Sequence, residues 1–277
     1  MTLRQNYVER VPTRLGLLSV RTIGAGRTTV LWPSMFVDGT TWHSILPLLQ
    51  NGSALPRRFV VVDPPGLGLS EPLSRITSIT EAAGAARDLL DGLAIDGPVD
   101  WVGNAFGGHV GYELADDPAI VRSLVTISAP AEPIPPALRR KIRALHPLLR
   151  LAGPVGPIPG AVIGAMLTDA SAADPEIRRV VLDALRRPSR SSLARALQSF
   201  ILDRVDVTDR LRDIRVPSLY VASDDRGDWS PTDAQRAAEL TPNATAVTIT
   251  EARTLVPLEQ PERLAEAILA FWAGPST

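Results

Sequence analysis

The sequence predicts an α/β fold, a mostly parallel sheet covered by helices on both faces. Three observations carry that expectation. Short apolar, β-branched runs alternate with helical patterns toward both ends of the chain. One run, Val99–Val102, meets a turn of small residues and then the helical pattern of Val110 and Leu114. Between Ala131 and Val207 the alternation stops and only helical periodicity remains.

Taken in order, Leu15–Thr22 alternates loosely and reads as an edge strand, with the turn Gly24-Ala25-Gly26 after it. Thr28–Leu31 is a short buried strand, Thr41–Leu49 the first helix and Phe59–Val62 the next buried strand. Ser78-Ile79-Thr80-Glu81 has the capping-box pattern and opens a helix to about Leu93, with Ala82, Ala85, Leu89 and Leu90 on its apolar face. Val121–Ile127 is another apolar strand. Leucine and arginine recur at helical spacing in Leu138–Leu151, Glu176–Arg187 and Ser192–Asp203. Between the first two, Gly153–Gly160 mixes glycine and proline and reads as loop. Pro217–Ala222 and Ala244–Ile249 read as the last strands, and Glu262–Trp272 as the closing helix.

Composition narrows the function classes. A chain of 277 residues can bury about three-quarters of its unfolded surface in one core. It has no cysteine, which excludes disulfides, thiolate metal ligands and a cysteine nucleophile. A net charge of −1 gives no general attraction to nucleic acid or to an anionic membrane. No basic stretch followed by an apolar one opens the chain, and no apolar run reaches membrane-spanning length. The expectation is a cytoplasmic monomer or homodimer acting on a small molecule, with neither nucleic acid nor membrane as partner. Three scattered histidines (His43, His109 and His146) do not suggest zinc, and no glycine fingerprint suggests flavin or nicotinamide. No cofactor is expected. Lys141 is the only lysine, and the abundance of arginine, alanine and proline suggests a GC-rich bacterial genome.

Gly103-Asn104-Ala105-Phe106-Gly107 has the spacing of G-x-S-x-G, with alanine where serine is expected. Gly103, Gly107 and Gly108 supply the small neighbours that such a tight strand-to-helix turn needs. Four more blocks occur in order around it: Leu31–Phe36 with Trp42, Val61–Ser70, Val216–Val221 and Leu258–Leu264. On these blocks the sequence resembles the α/β-hydrolase superfamily from about Arg14 to Trp272. The resemblance implies an eight-stranded, mostly parallel sheet flanked by helices. It places the core at 1–130 and 208–277, and a helical cap at 131–207 after the sixth strand. Fold by itself does not fix function.

A serine hydrolase needs a hydroxyl nucleophile, an imidazole to take its proton and a carboxylate to orient the imidazole. The resemblance puts the nucleophile at Ala105. It puts the histidine five residues before Glu259, at Thr254, with Arg253 beside it. His109 and His43 read as packing residues, and His146 as a cap residue able to face the pocket. From the strand end at Ser223, the spacing of the acid reaches Arg226, crowded by Asp224, Asp225 and Asp228. Asp225 and Asp228 are the candidate pocket acids, against the plainer reading of a solvated acidic loop.

The resemblance leaves the anion-stabilising parts in place. The N–H of Phe106 points into the pocket at a helix start, and a second donor comes from near Ser34 or Met35. Such donors favour an enolate or phenolate oxygen as well as a tetrahedral intermediate. Ester hydrolysis is expected to be very slow, since loss of the nucleophile or base in a serine protease lowers turnover by about a millionfold.

Three readings stay open. The preferred one is an enzyme with a degenerate triad that performs cofactor-independent, non-hydrolytic chemistry in bacterial natural-product biosynthesis. Cyclisation, carbon–carbon bond formation, elimination or rearrangement of an oxygenated, aromatic or polyketide-like molecule would fit. In it Ser34, Thr254 and one of Asp225 or Asp228 supply hydrogen bonds or proton transfer. Trp32, Met35, Phe106 and Trp229 supply apolar surface, His146 the cap side, and Arg226 or Arg253 meets an anionic oxygen. Trp32 and Trp229 equally read as core. The second reading is a non-catalytic binding or scaffold protein. The third is an esterase- or lactonase-type serine hydrolase whose serine was replaced to trap substrate; it explains Ala105 but not Thr254.

Overall fold

The computed structural model describes residues 7–225, 227 and 229–274. In chain order it runs β1 (Tyr7–Thr13), β2 (Gly16–Gly24), β3 (Arg27–Trp32), α1 (Ile45–Gly52), β4 (Arg57–Val62), α2 (Ile79–Gly92), β5 (Val99–Asn104), α3 (Phe106–Leu114) and β6 (Val121–Ile127). Then come α4 (Pro136–Ala152), α5 (Ile158–Met166), α6 (Asp169–Ala173), α7 (Pro175–Arg186) and α8 (Arg190–Leu197). The chain closes with β7 (Ser218–Ser223), α9 (Pro231–Leu240), β8 (Ala244–Ile249), α10 (Val256–Glu259) and α11 (Pro261–Ala273). The strands form one sheet in the order β1-β2-β4-β3-β5-β6-β7-β8. β2 is antiparallel to both its neighbours, and every other pairing is parallel.

Side chains of successive strand residues point to opposite faces. The continuous apolar runs of β3 and β4 therefore fill two cores. Val30, Trp32, Val60 and Val62 lie in one with α2 and α3, whereas Leu31, Phe59 and Val61 lie in the other with α1 and α11. The capping box at α2 forms: Ser78 Oγ accepts from the Glu81 N–H at 3.1 Å.

Three local expectations are corrected. The outermost strand is β1, and the 15–22 run is paired on both sides. β1 buries Val11 but leaves Val8 exposed, so its apolar pattern is faint, and Pro12 is tolerated at an edge. The loop after α4 ends at Pro157, because α5 opens with Ile158 and proline in its first turn. His43, expected to pack, is exposed.

The segment between β6 and β7 carries α4–α8, a wide turn at Gln198–Leu202 and no strand. Its ends meet where the Val207 N–H donates to Ala131 O at 2.9 Å. Polar ties fasten it to the sheet-bearing part. Arg187 pairs with the buried Asp38, Ser192 Oγ bridges Leu73 N–H and Gly66 O, and Ser199 Oγ accepts from Thr77 N–H.

Candidate active site

Ala105 stands alone between the end of β5 and the start of α3, with φ 45° and ψ −103°. An L-residue held there costs about 1–3 kcal/mol and persists only where its surroundings over-determine it. Here they do. The Ala105 N–H donates to Ile127 O at 2.7 Å, and its carbonyl accepts from the Gly108 and His109 N–H groups. Close approach explains the flanking glycines. A Cβ on Gly103 would lie 2.1 Å from Gly107 O, and one on Gly107 would lie 2.1 Å from Trp32 O.

This turn puts the start of α3 at a cavity of about 360 Å³. Phe106 is the first residue of α3, so its amide has no acceptor within the helix and sits at the positive end of the dipole. Ala105, Phe106, Ser34, Met35 and Thr254 line the cavity on the sheet side. On the other side are side chains of α4, α5 and the 198–202 turn, nearly all apolar. Phe106 stacks on Phe200 with centroids 4.1 Å apart, joining the tight turn to the helical segment.

Three polar side chains of the cavity are bonded to backbone. Ser128 Oγ donates to Arg253 O at 3.2 Å, and Thr254 Oγ1 donates to Ala165 O at 3.2 Å. His109 Nε2 lies 2.9 Å from Pro130 O. A carbonyl only accepts, so Nε2 carries the proton and Nδ1 is the bare nitrogen; Nδ1 is buried without a partner among the described residues. Burial, reinforced by the charge of Arg204 and opposed by the Pro130 bond, pulls the His109 pKa down to about 3. Among the described residues no imidazole is hydrogen-bonded to a hydroxyl.

The residues singled out in sequence separate into two groups. Ser34, Met35, Ala105, Phe106 and Thr254 come together at the cavity. Trp32, Trp229, His146, Arg253 and Asp225 are not among its lining residues. Trp32 is fully buried and stacked on Trp101 at 5.4 Å. Trp229 packs on Tyr220 at 5.8 Å. His146 Nε2 donates to Ala194 O at 3.1 Å, tying α4 to α8. Arg253 is buried; its guanidinium holds Gly164 O and Asp225 Oδ2, the latter at 2.8 Å. Asp225 is thereby committed to an ion pair. Arg226 and Asp228 lie outside the described residues. The sequence reading missed Ser128, Lys141 and Arg204, which line the cavity, and gave His109 a packing role only. Of these, His109 alone left a signal, one helical turn past Ala105.

Comparison with known proteins agrees with this fold. A family model described as the alpha/beta hydrolase family matches residues 29–267. The polyketide synthase ThaQ of Burkholderia thailandensis is 30% identical over 270 residues, covering 90% of this chain and 12% of that protein. The chain thus spans a small part of that relative's length. Among solved structures, a thermophilic esterase from Thermogutta terrifontis superposes with a TM-score of 0.83 at 23% identity, covering 96% of this chain and 98% of that one. The enol-lactonase from Burkholderia xenovorans LB400 gives 0.85 at 18% identity, covering 95% and 99%. At these identities the likeness is one of fold.

Proposed function

The chain belongs to the α/β hydrolase family, and from that premise we propose that it is an enzyme with a degenerate triad doing cofactor-independent, non-hydrolytic chemistry. Its substrate is an oxygenated small molecule, polyketide-like in character, of bacterial natural-product metabolism; the resemblance to part of a polyketide synthase supports that setting. We read residues 131–207 as the cap over the cavity. One observation carries the proposal: the strained turn opens onto a cavity of about 360 Å³, yet presents Ala105 there. A strain of this kind is retained where a backbone donor must be aimed.

In this reading a substrate oxygen sits at the Phe106 amide and the Ser34–Met35 loop, where developing enolate or phenolate charge is stabilised. The Ser34 hydroxyl orients it. Cyclisation, carbon–carbon bond formation, elimination and rearrangement each have versions, starting from an enolisable carbonyl or a phenol, that develop such an oxyanion. The second reading, a non-catalytic binding protein, draws on His109, whose low pKa leaves it a weak base at neutral pH.

The test has two arms. A panel of p-nitrophenyl esters should show no turnover above buffer, and Ala105→Ser with Thr254→His together should gain it. Bound 4-nitrophenol should titrate below its solution value, read from phenolate absorbance. Robust ester turnover by the unaltered chain, or an unshifted or raised nitrophenol pKa, would remove the proposal.

A further inference from the structure

The helical segment concentrates positive charge on its outer side. From Pro133 to Thr168 there are five cations, Arg139, Arg140, Lys141, Arg143 and Arg150, and no carboxylate, although the net charge of the chain is −1. All five belong to α4. Helical spacing sets Arg140, Arg143 and Arg150 in one stripe along it and Ala144, Leu148 and Leu151 in the next. Both stripes are exposed, Leu151 at 72%, and the exposed Val155 follows just beyond the helix. Among the described residues no side chain pairs with Arg140, Arg143 or Arg150. The opposite face of α4, with Leu138, Ile142, Leu145 and Leu149, lines the cavity, and Lys141 both lines it and is exposed. The outer face therefore runs to the cavity rim.

From this layout we propose that the outer face of α4 docks an acidic surface of a protein partner. The partner's carboxylates pair with Arg140, Arg143 and Arg150, and its apolar side chains cover Leu148, Leu151 and Val155. A patch of one sign steers an oppositely charged partner even where net charge is near zero. Guanidinium forks hold carboxylates through two parallel hydrogen bonds. The aliphatic stripe beside them supplies the apolar contact found at the centre of protein interfaces. The other anionic surfaces fit less well. A helix that lies in a lipid surface buries its main apolar face there, and that of α4 is turned to the cavity. A phosphate backbone would leave Leu148, Leu151 and Val155 uncovered.

The probes are a synthetic amphipathic peptide with glutamate and leucine along one face and the same peptide with glutamine for glutamate. By fluorescence anisotropy the glutamate peptide is expected to bind about tenfold tighter at low salt, and the difference should shrink as salt is raised. Arg140→Glu with Arg143→Glu should abolish it. Arg178→Glu with Arg179→Glu, exposed on α7, should leave it in place. In the unaltered chain the bound glutamate peptide should slow amide exchange along α4, a readout that needs no variant to fold. Equal affinity for the two peptides, or equal loss from the α7 reversal, would overturn the assignment. So would binding to phosphatidylglycerol vesicles or to a DNA duplex that the α4 reversal removes while the peptides show no preference; the face would then belong to lipid or nucleic acid. Binding is read without turnover, so a failed preference leaves the proposed chemistry standing.

Discussion

Asn104 Nδ2 donates to the main-chain carbonyl of Thr254 at 2.8 Å and to that of Ile127 at 3.1 Å. The residue before the strained turn thus sets the position of the 254 loop against Ala105. Replacing it with leucine removes both bonds and leaves the Thr254 carbonyl unmet, while Ile127 O keeps the Ala105 N–H. Asn104→Leu is expected to cost about 2 kcal/mol, measured as a lowered urea midpoint at unchanged slope. The amide signals of Thr254 and Leu255 should move with it.

His109 makes stability depend on pH. Its folded pKa, about 3, lies below its ordinary value of 6.5. Its contribution is therefore full above pH 6.5 and lost as pH falls toward 3, because the unfolded chain takes up the proton first. Urea denaturation at pH 7 and pH 4.5 should show this slope. His109→Gln, which keeps a donor for Pro130 O, should flatten it; an unchanged slope in that variant would refute the assignment of the limb to His109.

A second buried site bears on folding rather than chemistry. Arg57 and Asp100 form an ion pair in which both side chains are under 5% exposed, and Ser123 Oγ also donates to Asp100 at 2.8 Å. Burial lowers the Arg57 pKa against the opposing pull of Asp100. Removing one partner strands the other charge, so Asp100→Asn should cost about 3 kcal/mol or more. Thermal denaturation checks it.

Glu259 ties the helical segment to the last loop. Its carboxylate accepts the Thr168 N–H at 2.8 Å and the Arg253 N–H at 2.9 Å. Nearby, Met166 O accepts from the Thr254 and Leu255 N–H groups. In Glu259→Gln one acceptor becomes an NH₂ group facing an N–H. The expected loss is about 2 kcal/mol, with faster hydrogen exchange at Thr168 and around α5. Exchange unchanged there would show that the loop is held by other contacts.

Much of the sheet and the tight turn was legible in the chain because both are written locally. Val121–Ile127 and Ala244–Ile249 appear as read, since a β-branched run bounded by turn residues has few other uses. The turn around Ala105 was legible from glycine spacing, since Gly103 and Gly107 answer close backbone contacts and Gly108 the approach of the Ala129 Cβ. β1 was missed because only one of its valines is buried, and α5 because an almost wholly apolar helix has no periodicity to detect.

The sequence by itself determined the α/β fold class, the tight turn at Ala105 and the placing of Thr254 in the loop before Glu259. Only the tertiary structure decided that Arg253 turns to Asp225, that Trp32 and Trp229 are core, and that Lys141, Arg204 and His109 line the cavity. The reason is physical. Strand runs and glycine turns are set by neighbours within a few residues, whereas a cavity wall is set by how helices distant in sequence pack, and which cation faces inward follows from partners tens of residues away.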